Sequence, residues 1–158
     1  CACVYVPNGR EVSNDHYRFK LDWLARLRND LAQRVTEGDR FVIGGDWNIA
    51  PSSADVWDVD VFDENSTHVS VPEREAMAAI TDVGLRDTFR ERYGDADDLF
   101  SWWDYRGGNF HKRKGMRIDY LLATPPLADA AVSDLIDRNA RKGTKPSDHA
   151  PVLAYYDV

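Results

Sequence analysis

Apolar residues recur at intervals of three and four over residues 15–35, near the beginning of the chain. They are Tyr17, Leu21, Leu24, Leu27 and Leu31. This spacing predicts a helix whose single apolar face packs on a sheet. Ser13 or Asn14 is suited to cap the N-terminus of that helix, and Gly38 follows at a position typical of its end.

A second helix is predicted from the residues at its start. The sequence Ser70-Val71-Pro72-Glu73 has the pattern of a capping box with an early proline. We expect this helix to extend to about Val83, where Gly84 stops it. Upstream, residues 51–55 predict a single helical turn, and residues 57–69 have no apolar period and predict a surface loop.

Short apolar runs predict strands along the rest of the chain. The predicted strands are residues 1–6, 41–43, 100–103, 116–124, 131–137 and 152–156. Residues 85–93 are compatible with a short helix, whereas residues 104–115 and 138–147 predict polar loops rich in basic side chains. Helices that alternate with short strands indicate a layered α/β fold and exclude an all-helical bundle.

The composition is that of one globular domain of 158 residues. No apolar run approaches the roughly 20 residues of a membrane helix, and no secretory signal is visible, so we expect no membrane partner. Cys1 and Cys3 are too few for a disulfide framework or a zinc site, and we interpret them as half-buried apolar residues in a reducing cytoplasm. Because the chain starts at Cys1, within a predicted strand, we expect a piece of a larger protein; a processed N-terminus is the alternative.

The charge balance argues against a nucleic-acid partner at first. The formal net charge is −7, whereas nucleic-acid binders are usually basic. Two local clusters change this picture: Lys112, Arg113, Lys114 and Arg117 form one, and Arg138, Arg141, Lys142 and Lys145 form the other. Acidic groups that hold a metal also become favourable for an anionic substrate, because the cation reverses the local field.

Polar side chains that could take part in catalysis or metal binding lie at the ends of two predicted strands. Asp46 and Asn48 follow the strand at residues 41–43, and alternate residues of an extended segment point the same way, so we expect both to face one pocket. Asp119 stands at the start of an apolar strand, where a carboxylate must be exposed, paired or bound to metal. Each of these residues alone is more often a turn or cap residue than a catalyst.

The segment Pro146-Ser147-Asp148-His149-Ala150-Pro151 carries a sharper pattern. Asp148 and His149 are adjacent, and two prolines hold them before the final strand. A histidine stabilises an anionic phosphate when it is protonated, and a neighbouring carboxylate favours that charged form. Ser147 has a plain structural interpretation as a cap. A serine hydrolase is disfavoured because no nucleophile-elbow pattern occurs in the sequence.

These motifs together resemble a known superfamily. The ordered set Gly45-Asp46-Trp47-Asn48, Arg117-Ile118-Asp119 and Ser147-Asp148-His149 resembles the pattern of the endonuclease/exonuclease/phosphatase superfamily. The blocks at residues 4–9, 100–106 and 145–149 are similar to exonuclease III, the bacterial enzyme type that acts at abasic sites. The resemblance covers essentially the whole chain and implies an α/β fold that forms the C-terminal part of a four-layer sandwich of two packed sheets.

The resemblance also implies roles for individual residues. Tyr5 matches a tyrosine that contacts the scissile phosphate, Asp46 an aspartate that orients or deprotonates the attacking water, and Asn48 an asparagine that binds the phosphate. Asp119 matches an aspartate near the leaving group, and His149 a histidine that stabilises the pentacovalent phosphate. Asp148 matches the carboxylate that orients this histidine and lies near the metal.

A cofactor and a partner follow from the same resemblance. It implies Mg²⁺, with Mn²⁺ as the alternative, held by Asp46, Asn48, Asp148 and His149. It implies double-stranded DNA with abasic sites or 3′ ends as the substrate of a monomeric enzyme. The DNA contacts are expected from Trp102, Tyr105, Arg106, Lys112, Arg113 and Arg117.

One departure from the superfamily pattern bears on activity. The asparagine and glutamate that ligate the main magnesium ion precede the tyrosine motif in the superfamily, and no residue of this chain matches them. The sequence therefore predicts a partial domain over residues 1–158. Two alternatives stay open: another phosphoesterase of the superfamily, such as a phosphatase or a deoxyribonuclease I-like enzyme, and a non-catalytic fragment that binds DNA.

Overall fold

Two β-sheets organise the chain in the computed structural model, which describes residues 1–36 and 38–158. The larger sheet contains β1 (Ala2–Tyr5), β2 (Val42–Asp46), β3 (Arg86–Asp87) and β4 (Asp119–Ala123) in the order β1-β2-β4-β3. Strand β1 is parallel to β2, whereas β4 is antiparallel to both of its neighbours.

The smaller sheet pairs β5 (Ala131–Ile136) with β6 (Val152–Tyr156) in antiparallel register. The pairing is irregular between Ala131 and Ser133, where a bulge shifts the register. Strand β6 also contacts β4. At that contact Val42 and Tyr156 pack against a small apolar cluster that contains Ala123 and Leu127.

Within the described residues, four α-helices connect these strands: α1 (Asp15–Arg34), α2 (Val71–Thr81), α3 (Thr88–Tyr93) and α4 (Pro125–Ala128). The predictions for α1 and α2 are confirmed, including their start signals. Asn14 caps α1 by accepting a hydrogen bond from the His16 backbone N–H. Ser70 and Glu73 form the predicted capping box of α2. Short 3-10 turns cover Ser53–Asp55, Val59–Val61, Arg106–Gly108 and Arg138–Arg141.

The main apolar core lies between one face of the larger sheet and the helices α1 and α2. Ile43 and Leu122 come from the sheet, Leu24 and Leu31 from α1, and Ile80 from α2. The predicted mixed α/β fold with two sheets flanked by helices is confirmed. The arrangement in four layers stays a prediction. In the described part of the chain, no helix is both long and apolar enough to cross a membrane.

Three predictions about local structure need correction. Residues 100–103 form no regular strand; Trp102 makes isolated bridges to Met116 and His149 instead. The strand predicted at residues 116–124 covers only Asp119–Ala123, because Met116 bonds to Trp102 and the Arg117 N–H donates to the Asp55 carbonyl. Cys1 and Cys3 are exposed and not half-buried, because β1 has only β2 as a strand neighbour among the described residues.

Candidate active site

Three neighbouring strands bring their polar residues into one row. In the pairing of β1 with β2, Tyr5 lies opposite Asp46, and in the pairing of β2 with β4, Asp46 lies opposite Asp119. Directly opposed residues on neighbouring strands share a face of the sheet, with Cβ atoms about 5 Å apart. Residues that are far apart in sequence therefore meet at one end of the larger sheet.

His149 completes this row from the segment that precedes β6. Its Nδ1 atom lies 2.8 Å from Oδ2 of Asp119. One ligand atom from each of Asp46, Asp119 and His149 lies within 4.8 Å of the other two. Two carboxylates and an imidazole at this separation could hold a divalent cation. We call these three residues the carboxylate–histidine cluster.

Asn48 lies directly beside the cluster and is 4% exposed. Its side-chain Nδ2 donates to Asp46 Oδ2 over 3.1 Å and to the Val6 carbonyl over 2.9 Å. Its backbone N–H donates to Asp46 Oδ1 over 2.9 Å. Asp46 and Asn48 are thus in direct contact, although Asn48 follows the end of the strand instead of continuing it.

A buried network behind Asn48 was not predicted from the sequence. The Asn48 carbonyl accepts from Lys20 Nζ over 2.6 Å and lies 2.6 Å from Nδ1 of His68. Lys20 also forms a fully buried ion pair with Glu73, which accepts a hydrogen bond from the Thr67 hydroxyl. A signal for Lys20 exists in the sequence, because it lies three residues after Tyr17 and four before Leu24, within the apolar stripe of α1.

The electrostatics of the cluster shift two titrating groups. Burial raises the pKa of Asp46 to about 6, and the Asp119 charge adds to this, against the opposing effects of the Asn48 N–H, His149 and Lys20. Burial lowers the pKa of His149, but the hydrogen bond to Asp119 and the charges of Asp119, Asp46 and Asp148 outweigh it and raise that pKa above its ordinary value. The cluster therefore favours an imidazolium beside a carboxyl group that titrates closer to neutral pH.

Asp148 has a different position from the one expected. Its Oδ2 accepts a hydrogen bond from Trp102 Nε1 over 3.0 Å, and its carbonyl accepts from the Trp103 backbone N–H. The carboxylate that orients His149 is Asp119, so the expectation for Asp148 is wrong on this point. The physical reason is that adjacent residues of an extended segment point to opposite sides, which directs Asp148 and His149 to different partners.

The expected DNA-contacting residues divide into two groups. Tyr105 and Arg106 are exposed, with the Arg106 guanidinium paired to Asp104 and the Tyr105 hydroxyl donating to the Pro146 carbonyl. Lys112 and Arg113 are also exposed. Trp102 is half-buried, and its indole nitrogen is bound to Asp148.

Arg117 does not belong to that surface. It is 1% exposed, and its guanidinium contacts Asp55 over 2.5 Å and Asp87 over 2.8 Å. It also lies over the ring of Tyr120. The expectation that Arg117 binds DNA is therefore wrong: Lys112 and Arg113 are exposed, but the chain turns inward before Arg117.

A mixed α/β fold with a carboxylate–histidine cluster at its strand ends is typical of hydrolases that act on phosphate esters. The model of the Endonuclease/Exonuclease/phosphatase family matches residues 2–149, and the chain belongs to this family. Among curated relatives, exodeoxyribonuclease III of Haemophilus influenzae is 34% identical over an alignment of 161 positions. The alignment covers 96% of this chain and 59% of that protein.

Solved structures agree with this assignment. The 3′ phosphatase NExo from Neisseria, bound to a product DNA hairpin, is 34% identical and superposes with a TM-score of 0.93 over 99% of this chain and 60% of its own. An AP endonuclease from Archaeoglobus fulgidus is 35% identical, with the same TM-score of 0.93 and the same coverage of 99% and 60%. The chain thus spans about 60% of the length of these proteins.

Proposed function

We propose that this chain forms the phosphate-binding and water-activating part of a metal-dependent DNA-repair nuclease of the exonuclease III type. The observation that carries the proposal is the row of Tyr5, Asp46 and Asp119 across three strands, which His149 completes. Hydrolysis of a phosphodiester needs an oriented water and donors for the phosphate oxygens, and the site offers both.

The roles of the residues follow from their protonation states and hydrogen bonds. Asp46, with a pKa of about 6, is suited to orient a water and accept its proton near neutral pH. The imidazolium of His149, fixed by Asp119 at Nδ1, keeps Nε2 as a donor for a phosphate oxygen. The exposed Tyr5 hydroxyl supplies a further donor. Both amide hydrogens of Asn48 are bonded to Asp46 and to the Val6 carbonyl, so Asn48 supports the site by holding Asp46.

We propose Mg²⁺ as the cofactor, with Mn²⁺ as the alternative. Asp46 and Asp119 supply the oxygen ligands that both ions prefer, whereas His149, as an imidazolium bonded to Asp119, keeps no lone pair for a cation. When bound, such an ion acidifies a coordinated water and neutralises charge that develops on the phosphate. Of the other two expected ligands, Asp148 lies outside the group of mutually close carboxylate and imidazole atoms, and the Asn48 amide oxygen accepts a hydrogen bond from Asn8.

The proposed substrate is double-stranded DNA with abasic sites or 3′ ends. Tyr105, Arg106, Lys112 and Arg113 are exposed and suited to contact its backbone. The names of the relatives support DNA as the substrate: one is an exodeoxyribonuclease, and one solved relative is an AP endonuclease. We further propose that the enzyme acts as a monomer in a reducing cytoplasm, where both of its cysteines stay free.

We propose that cleavage needs a second segment, equivalent to the part of the relatives that this chain does not span. The chain matches about 60% of those proteins. The superfamily places two of its magnesium ligands before the tyrosine motif. A cation held only by the cluster described here would have few protein ligands, so we expect weak metal binding by this chain alone.

The proposal is tested by adding Mg²⁺ and an abasic-site duplex to the chain alone, and to the chain together with the preceding segment of the Haemophilus influenzae relative. We expect incision in the second mixture and little in the first. The same mixtures are given a duplex with a 3′-phosphate and a soluble inositol phosphate. Phosphate release from the inositol phosphate, without cleavage of DNA, would show a phosphatase of another branch of the family. DNA binding without any cleavage would show a non-catalytic DNA-binding protein.

A further inference from the structure

Two arginines, Arg117 and Arg141, are almost fully buried in the described part of the chain, and their partners differ. Arg117 is 1% exposed and contacts the carboxylates of Asp55 and Asp87. Arg141 is 6% exposed, yet no carboxylate in residues 1–36 or 38–158 lies within 4 Å of its guanidinium. A buried charge is costly unless it is paired, so Arg141 lacks a partner that Arg117 has.

Aromatic rings replace the carboxylates around Arg141. Its guanidinium carbon lies 4.6 Å from the ring centre of Phe110, 5.5 Å from Trp103 and 5.6 Å from Tyr105. Within the described residues, its one side-chain hydrogen bond is a long contact of 3.5 Å from Nη1 to the Trp103 carbonyl, and Nε has no partner. Rings fix the plane of a guanidinium without using its N–H donors, which leaves these donors for an anion.

Arg141 lines a cavity of about 430 Å³ between the two basic loops at residues 104–115 and 138–147. Lys142 and His111, both exposed, line the same cavity. Asp104 also lines it, but both of its carboxylate oxygens accept hydrogen bonds from Arg106. The uncompensated charge around the cavity is therefore positive.

The walls of the cavity are joined to the candidate active site. The Tyr105 hydroxyl donates to the Pro146 carbonyl, and the Trp103 backbone N–H donates to the Asp148 carbonyl. Both acceptors are in the segment that carries His149. The cavity is thus tied by hydrogen bonds to the segment that positions His149 in the candidate active site.

We propose that the cavity is a phosphate-binding site in which Arg141 and Lys142 hold a backbone phosphate of the bound DNA. That the phosphate belongs to DNA rests on the proposed function. That the cavity binds a phosphate group rests on the residues that line it. Guanidinium donors match phosphate oxygens in bidentate geometry, and the ammonium group of Lys142 adds a second positive charge. The site positions the DNA strand and makes no contact with the scissile bond.

The first experiment tests the phosphate chemistry without DNA. Inorganic phosphate is titrated into the chain while NMR follows the Arg141 Nε–H signal. We expect a saturable shift of this signal and an affinity about threefold weaker, or more, in Lys142→Gln. Arg26→Gln removes an equal charge from the exposed surface of α1 and should leave the titration unchanged. Arg141 signals that do not respond to phosphate would overturn the proposal.

The second experiment identifies the source of the phosphate. Affinity for an abasic-site duplex is measured in EDTA over a range of salt concentrations for the unchanged chain, Lys142→Gln, Arg141→Lys and Arg26→Gln. Loss of one phosphate contact should lower the slope of log affinity against log salt by about one in Lys142→Gln, with no change in Arg26→Gln. Arg141→Lys keeps the charge and loses the planar fork, and we expect weaker binding if it folds.

The outcomes separate this inference from the proposed function. Phosphate binding with equal DNA affinities in Lys142→Gln and Arg26→Gln would refute the DNA source and assign the cavity to free phosphate. Absence of DNA binding in all variants, with phosphate still bound at Arg141, would count against the proposed function and support the phosphate site. Because Lys142 is exposed, its variant gives a result even if substitutions at the buried Arg141 prevent folding.

Discussion

Asn48 depends on residues that lie outside the candidate active site. Its φ angle is 51°, in the left-handed region that residues other than glycine rarely occupy. The Asn48 carbonyl is held in this conformation by Lys20 and His68. We therefore assign Lys20 a positioning role: it fixes the backbone that directs the Asn48 amide towards Asp46.

We predict that Lys20→Met destabilises the chain by about 3 kcal/mol or more, because it leaves the buried Glu73 carboxylate without its cation. The measurement is urea unfolding at pH 7. Adding Glu73→Gln removes the stranded charge and keeps a side chain able to hydrogen-bond, so the double variant should recover part of the loss. A double variant as unstable as the sum of its parts would contradict the ion-pair explanation.

The raised pKa of Asp46 predicts a cost to stability in the metal-free chain. A carboxyl group whose pKa rises from 3.8 unfolded to about 6 folded binds protons more readily when folded. Its contribution therefore declines as pH rises through this window and stays unfavourable above it. We predict that Asp46→Asn stabilises the chain in EDTA, by at most about 3 kcal/mol, and more at pH 8 than at pH 5.

Urea unfolding of Asp46→Asn at both pH values checks this sign. The same variant should lose DNA cleavage in the complemented mixture, because an amide cannot accept the proton of the attacking water. An Asp46→Asn chain that is less stable than the unchanged chain at pH 8 would show that the carboxylate is favourably bound in the folded protein.

At the scale of elements, two consecutive glycines allow β2 to fit between β1 and β4. A Cβ atom on Gly45 would lie 1.9 Å from the Val4 carbonyl oxygen, and Gly45 has a φ angle of 144°. A Cβ atom on Gly44 would lie 2.1 Å from Cδ2 of Leu121, the far end of a flexible side chain. A side chain on Gly45 would clash with the backbone of the neighbouring strand and would have an unfavourable φ angle. A side chain on Gly44 would mainly meet the movable end of Leu121.

This difference makes the two glycines a matched pair. We predict that Gly45→Ala costs about 3 kcal/mol or more, because β1 and β2 must separate. Gly44→Ala should cost about 1 kcal/mol, because the Leu121 side chain can turn away. Thermal and urea unfolding of both variants measure the two costs. Equal costs would argue that β1 is not paired with β2 in solution as the register requires.

The elements show what the sequence can and cannot predict. Helix α1 and the start of α2 were predictable, because apolar spacing and capping residues act within a few neighbouring positions. The segment at residues 100–103 was not, because its aromatic residues resemble a strand whereas Trp102 is bridged to two other segments. The sequence also does not show that Arg117 is buried, because its partners Asp55 and Asp87 are distant in sequence.

For the whole molecule, the motifs predicted which residues would gather but not every contact between them. The resemblance placed five residues around one phosphate: Asp46, Asn48, Asp119, Asp148 and His149. Four of them lie in contact, whereas the Asp148 carboxylate bonds to Trp102. The pairing of His149 with Asp119 depends on how the segment before β6 crosses the end of β4. The register between strands fixes this geometry, and a list of motifs does not contain it.

The net negative charge of the chain does not describe the charge at every part of the folded surface. The net charge is −7, yet the two loops at residues 104–115 and 138–147 carry the exposed cations Arg106, Lys112, Arg113, Lys142 and Lys145. DNA responds to the local field near its binding surface, while the overall charge governs solubility. The arrangement is compatible with DNA binding that depends on a metal and on few phosphate contacts.

The most direct test of the central claim is the single-turnover rate of abasic-site incision by the complemented protein in Mg²⁺, with His149→Ala compared with His16→Ala. His16 is exposed on α1 and makes a matched control. If His149 holds the scissile phosphate, its loss should slow incision about a hundredfold or more while the unfolding curve is unchanged, and His16→Ala should match the unchanged protein. A His149→Ala rate close to that of His16→Ala would contradict the assignment of this cluster as the active site.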